Sequence, residues 1–112
     1  VQPQKNNGLK LEKFIFDAIP MCRASIVLET DRIEEFAPIK NATGVDSAES
    51  CAAIQSERAA RWLESLGVRV PRRSDGSVDA VLEIDPSHGD SPEDLRDRVR
   101  GLQVAPGARL VI

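Results

Sequence analysis

The sequence holds a single histidine, His88, and only two cysteines, Cys22 and Cys51, in 112 residues. One histidine excludes a histidine pair, a His-based metal cluster and a proton relay with several imidazoles. Two distant cysteines cannot form a disulfide framework, and without partners at metal spacing they suggest a reducing compartment, with the cytoplasm as the expected location. No apolar run approaches the ~18 residues that span a membrane, so a membrane partner is not expected. There is no excess of positive charge. Lys and Arg number 15 against 18 Asp and Glu, a net charge of −3, which argues against a nucleic-acid partner because that needs a concentrated basic face. Glycine and proline number seven each, too few for a low-complexity chain, and there is neither an internal repeat nor a Gly-rich loop.

What remains is ordinary for a soluble globular domain. Hydrophobic residues make up 41% and charged residues 29%, and this length can bury a modest core. The opening Val1–Gly8 is polar, lacks an initiator Met and has no signal-like apolar region, so it reads as a linker within something longer.

Hydrophobic periodicity then suggests the elements. Leu11, Phe14, Ile15, Ala18, Ile19 and Cys22 follow helical spacing, predicting an amphipathic helix over Leu9–Cys22 that ends or kinks at Pro20. Ala24–Glu29 is a short β-branched apolar run, predicting a buried strand. A capped polar turn, Thr30–Phe36, and an irregular loop, Ala37–Val45, lead to a long helix capped by Asp46 or Ser47. That helix runs to about Leu66, with Gly67 as its stop and Cys51, Gln55 or Ile54, Ala59, Trp62 or Leu63, and Leu66 on its buried stripe. Val68–Val70 is a brief strand candidate and Pro71–Ser77 a turn. Val78–Ile84 alternates as a half-buried strand, Ser91-Pro92-Glu93-Asp94 opens a short helix, and Ala108–Ile112 closes as a strand. The change of character after Gly67 suggests a boundary near there. The fold class is α/β or α+β with few strands.

Few residues stand out chemically. His88 is expected as an exposed loop residue, Cys51 as a core thiol, and Arg72-Arg73 as a solvated basic turn. Arg96, Arg98 and Arg100 among Asp94 and Asp97 suggest a solvated face. Phe16 lies about 140° from Leu11 at ~100° per residue, off the apolar stripe. It either packs on a second layer or lines a pocket. Lys40, on a loop stiffened by Pro38, is either solvated or a point charge for a phosphate.

Two segments carry a resemblance. Asn7-Gly8-Leu9-Lys10-Leu11-Glu12-Lys13-Phe14-Ile15-Phe16-Asp17 is followed by Glu35-Phe36-Ala37-Pro38-Ile39-Lys40-Asn41-Ala42. Together they resemble the C-terminal part of the eukaryotic-type UDP-N-acetylglucosamine pyrophosphorylases, or UTP:N-acetylglucosamine-1-phosphate uridylyltransferases, without a gap from Phe16 to Lys40. Gly44-Val45-Asp46-Ser47 and, more loosely, Leu82-Glu83-Ile84-Asp85-Pro86 resemble later family segments. The likeness spans most of the chain and is strongest over residues 6–50. This chain departs from the family pattern where a proline and an arginine usually follow Ser47, at Pro20, and at Asp85.

The resemblance implies that residues 1–66 end a Rossmann-like nucleotidyltransferase domain, as helix, strand, loop and long helix. Residues 67–112 would be a small α+β C-terminal domain. It implies a transferase that joins UTP and N-acetylglucosamine 1-phosphate into UDP-N-acetylglucosamine and pyrophosphate with Mg²⁺, whose ligands would lie outside this chain. Phe14 and Phe16 would line the sugar pocket, and Lys40 would be the catalytic, phosphate-facing cation. N-acetylgalactosamine 1-phosphate and glucose 1-phosphate stay open as sugars. Alone, the chain is not expected to turn over, and an exposed apolar face around Phe14, Phe16 or Ile26–Leu28 would favour self-association. The alternative is a small non-catalytic interaction domain on the same scaffold.

Overall fold

Ser47 begins the longest element. Its hydroxyl accepts the Ser50 amide at 3.2 Å while the Ser50 hydroxyl accepts the Ser47 amide at 2.9 Å, so two amides that the helix leaves unpaired are satisfied reciprocally. The cap is expected at Asp46 or Ser47, and it is Ser47. In this computed structural model, which describes residues 5, 7–9 and 11–112, helix α2 then runs Ala48–Ser65. Most of the expected linker Val1–Gly8 lies outside the described residues. α2 ends as Gly67 adopts a φ of 85°; the Gly67 amide bonds the Glu64 carbonyl and the Val68 amide the Leu63 carbonyl, each at 3.0 Å. This left-handed turn suits glycine because a Cβ would be strained there.

The turn sends the chain back along α2. Val68 and Val70 are buried, but the brief strand expected there does not form; their alternation is realised as inward packing. Arg72 and Val78 form an isolated antiparallel bridge around the turn. Strand β1 follows at Ala80–Glu83, with Val78, Ala80 and Leu82 buried as the alternation requires. Residues 84–107 make the crossover, long enough to return the chain in parallel. It includes two short 3₁₀ turns, Pro86–His88 and Pro92–Leu95. Strand β2, Ala108–Val111, then lies parallel to β1, with Leu82 opposite Leu110.

One core unites these pieces. Leu63 of α2, Leu82 of β1 and Leu95 of the crossover are fully buried, with Trp62, Val68, Val70, Val78 and Val99 around them. The α2 face toward β1 uses Ser56, Ala59 and Ala60, all buried, and these small side chains allow close approach. The change of character after Gly67 thus falls inside a single packed cluster. The architecture is mixed helix and strand, with a two-stranded parallel sheet.

Arg72 and Arg73 lie exposed, as expected of a solvated basic turn. Arg72 also spans two glutamates of α2, with nitrogens 2.9 Å from Glu64 and 3.0 Å from Glu57. Its hydrogen bonds to Glu64 and then Glu57 raise its pKa above the ordinary arginine value.

The arm before Arg32 also differs from expectation. Among the described residues of Leu9–Cys22 the helix is replaced by a 3₁₀ segment, Ile15–Met21, that contains Pro20 and no buried residue. Pro20 lacks the amide that would continue an α-helix, and an amphipathic helix needs a partner for its stripe. The strand expected at Ala24–Glu29 does not form, and Ile26 and Val27 are 93% and 97% exposed. Strands take their hydrogen bonds from neighbours, and this run pairs with none of the described residues. The radius of gyration, 19.3 Å, accordingly exceeds the roughly 13 Å of a compact chain this long.

Candidate functional site

The segment between the exposed arm and α2 is braced at every turn. Asp31 caps helix α1, Arg32–Glu35, by accepting the Ile33 amide. Glu34 then anchors α1 to α2, accepting from Trp62 Nε1 at 3.0 Å and from Arg58 Nε at 3.3 Å. Arg58 also stacks 4.3 Å from the Trp62 ring centroid. Farther along, the Ala37 carbonyl accepts the Cys51 thiol at 3.0 Å. Cys51 is buried, as expected of a core thiol.

The loop carrying Lys40 closes on one carbonyl. The Asp46 oxygen accepts the amides of Lys40 at 2.6 Å and Asn41 at 2.9 Å. Asp46 holds a φ of 56° to do so, a left-handed conformation that Asp tolerates better than most side chains. Asn41 Nδ2 donates to the Val45 carbonyl and Ser47 Oγ to the Gly44 carbonyl, both at 2.7 Å. The backbone of Lys40 is therefore fixed while its side chain stays exposed. Its ammonium lies 4.0 Å from the Asp46 carboxylate and 5.6 Å from the Phe36 ring centroid. The same ring receives the Arg32 guanidinium at 4.5 Å.

Phe14 and Phe16 form a second feature. Their rings stack with centroids 6.5 Å apart at 23°, and the side chains are 55% and 67% exposed. Phe16 is therefore not packed on a second layer of this chain. No hydrogen bond, ion pair or ring contact among the described residues joins this pair to the Lys40 loop. Phe36, Arg32 and the left-handed Asp46 escape the sequence reading, although Arg32, Phe36 and Lys40 recur at intervals of four.

Two concavities among the described residues lie outside these features. One of about 520 Å³ lies between α2 and β1, lined by Ala52, Ala53, Val78, Ala80 and Val81 among others. The other is polar and lies at Pro86–Asp90 and Asp94. There His88 is half-buried rather than exposed, and its Nδ1 is enclosed without a hydrogen-bond partner among the described residues. The Ser91 hydroxyl and amide hold the Asp94 carboxyl below the ordinary carboxylate range. Among the described residues no three His, Cys, Asp or Glu side chains cluster as metal ligands. No helix among them is long and apolar enough to cross a membrane.

Comparison with known proteins places this segment. No defined family profile matches the chain, and no solved structure matches it. A probable UDP-N-acetylglucosamine pyrophosphorylase of Dictyostelium discoideum is 35% identical over 100 residues, covering 87% of this chain and 20% of the relative. A Caenorhabditis elegans protein of the same description is 40% identical over 72 residues, 62% of this chain and 15% of its own length. The human UDP-N-acetylhexosamine pyrophosphorylase-like protein 1 is 33% identical over 115 residues, 90% of this chain and 23% of its own. The chain thus spans about a fifth of the length of the curated relatives it matches. With the likeness running through both the braced loop and the packed core, this chain belongs to the UDP-N-acetylglucosamine pyrophosphorylase family and corresponds to one portion of those proteins.

Proposed function

We propose that this chain is the C-terminal part of a uridylyltransferase making UDP-N-acetylglucosamine and pyrophosphate from UTP and N-acetylglucosamine 1-phosphate. Its contribution is one wall of the sugar and phosphate pocket. The observation that supports this most is Lys40: an exposed ammonium on a backbone locked by the Asp46 carbonyl. A fixed cation is what phosphoryl transfer asks of a protein, because positioning and charge stabilisation dominate that chemistry.

In this reading the sugar phosphate oxygen attacks the α-phosphorus of UTP and pyrophosphate leaves. The Lys40 ammonium offsets the charge that gathers on the phosphate oxygens. The Phe14 and Phe16 rings pack on the apolar face and acetyl group of the sugar. Mg²⁺ would neutralise phosphate charge, held by residues outside this chain. Residues 1–66 would complete a Rossmann-like catalytic domain in the cytoplasm and residues 67–112 a small C-terminal domain, with α2 packed on the latter. The Gly-rich nucleotide loop is absent here, so the chain alone would not turn over.

Calorimetric titration of N-acetylglucosamine 1-phosphate and UDP-N-acetylglucosamine into this chain and into the full-length protein tests the reading. Binding by the longer protein only is the expected result. Binding by neither would overturn it in favour of a non-catalytic interaction domain.

A further inference from the structure

Phe36 is contacted by two cations, Arg32 and Lys40, and among the arginines without an ion pair in the described residues Arg32 is the one seated on an aromatic ring. Arg58, Arg61, Arg72, Arg73 and Arg100 each have a carboxylate within ion-pair reach. Arg32 has none among the described residues; its guanidinium lies instead 4.5 Å from the Phe36 ring centroid. Lys40 approaches the same ring at 5.6 Å, with the Asp46 carboxylate 4.0 Å away as its one acidic neighbour among the described residues. An aromatic face holds a cation without neutralising it. The two positive charges can be no farther apart than those two distances laid end to end, a span that a diphosphate with a hydrogen bond at each end can bridge. Both supports are rigid: α1 is clamped through Glu34 to Arg58 and Trp62, and the Lys40 backbone is pinned by Asp46.

We propose that Arg32 is a second phosphate-binding residue, held beside Lys40 by the Phe36 ring so that the pair grips a diphosphate. The inference rests on the reading of Lys40 as phosphate-facing. It assigns to Arg32 the planar, bidentate recognition that an ammonium cannot supply, and to Phe36 the role of a positioning residue that sets the spacing.

The test is calorimetric binding of inorganic pyrophosphate and of inorganic phosphate to the full-length protein. Arg32→Gln should weaken pyrophosphate by about three- to tenfold and phosphate by much less, with Arg32→Lys recovering part of the loss. Phe36→Leu, which keeps the apolar bulk, should reproduce the pyrophosphate loss. Melting midpoints measured alongside separate these effects from unfolding. If Lys40→Met weakens pyrophosphate and Arg32→Gln does not, this inference fails while the reading of Lys40 stands. If neither substitution matters, both fail. An equal loss for phosphate and pyrophosphate on Arg32→Gln would also overturn the two-cation grip.

Discussion

The Ser56 hydroxyl, on α2, accepts the Leu82 amide at 3.1 Å and donates to the Leu82 carbonyl at 3.4 Å. Glu83 and Asp85 direct their backbone bonds to the β2 side instead. Ser56 therefore closes the edge of β1 that β2 does not reach, and both partners are buried. Ser56→Ala would leave a buried amide unpaired, costing about 1–3 kcal/mol. Denaturant unfolding followed by the single tryptophan, Trp62, should show a lower midpoint with an unchanged slope.

Lys40→Ala and Phe16→Ala in the full-length protein should separate activity from stability. Both side chains are exposed, so each change should shift folding by only about 0.5 kcal/mol. Turnover should fall at least about tenfold if the ammonium and ring meet substrate. Parallel losses of melting temperature and turnover would make both residues structural.

Asp46→Asn keeps a side chain that tolerates the left-handed backbone and removes the carboxylate 4.0 Å from Lys40. The Lys40 end of the pair is exposed and Asp46 is half-buried, so at this 4.0 Å separation its loss should change stability by less than about 1 kcal/mol. Pyrophosphate affinity should rise, because the ammonium loses its internal counter-ion. Weaker binding would show that the carboxylate orients Lys40 rather than competing for it.

The acid limb of stability should report Asp94. Its carboxyl is held below the ordinary range by the Ser91 hydroxyl, as Asp75 is by Ser77 and Asp85 by Ser87. A depressed folded pKa stabilises the fold above the unfolded value, near about 3.9, and that contribution disappears as pH falls through the folded value. Asp94→Asn should remove part of the acid slope in urea titrations, leaving the shares of Asp75 and Asp85.

An apolar arm without a cover should associate. Ile26, Val27 and Leu28 lie exposed, as do Phe14 and Phe16 earlier in the same arm. Sedimentation of this chain should show concentration-dependent self-association, which Val27→Lys would reduce. A clean monomer at high concentration would contradict it.

The legibility of the chain follows where its partners lie. α2, β1 and β2 are readable because their caps, periodicity and alternation are local and their burial is completed within the chain. Leu9–Glu29 has equally clear periodicity, but no element here covers its stripe, and the pattern alone cannot supply a partner. The ion pairs of Arg72 are hidden for a similar reason: its glutamates lie eight and fifteen residues away and meet only when Gly67 reverses the chain. Lys40 is found through its motif. Its backbone lock depends on one left-handed Asp46, and the shared ring of Phe36 emerges only in three dimensions.

The division between a packed unit and an uncovered arm has a further consequence for amide hydrogens. Those of the middle of α2 and of Leu82, which bonds Ser56, lie inside one core and should exchange with deuterium only when that unit opens as a whole. Those of the Ala24–Glu29 run are exposed and should exchange at nearly the rate of a free peptide. Should the rest of a longer chain close over this arm, its amides would slow by orders of magnitude while those around Leu82 changed little. The arm would then act as a built-in reporter of assembly.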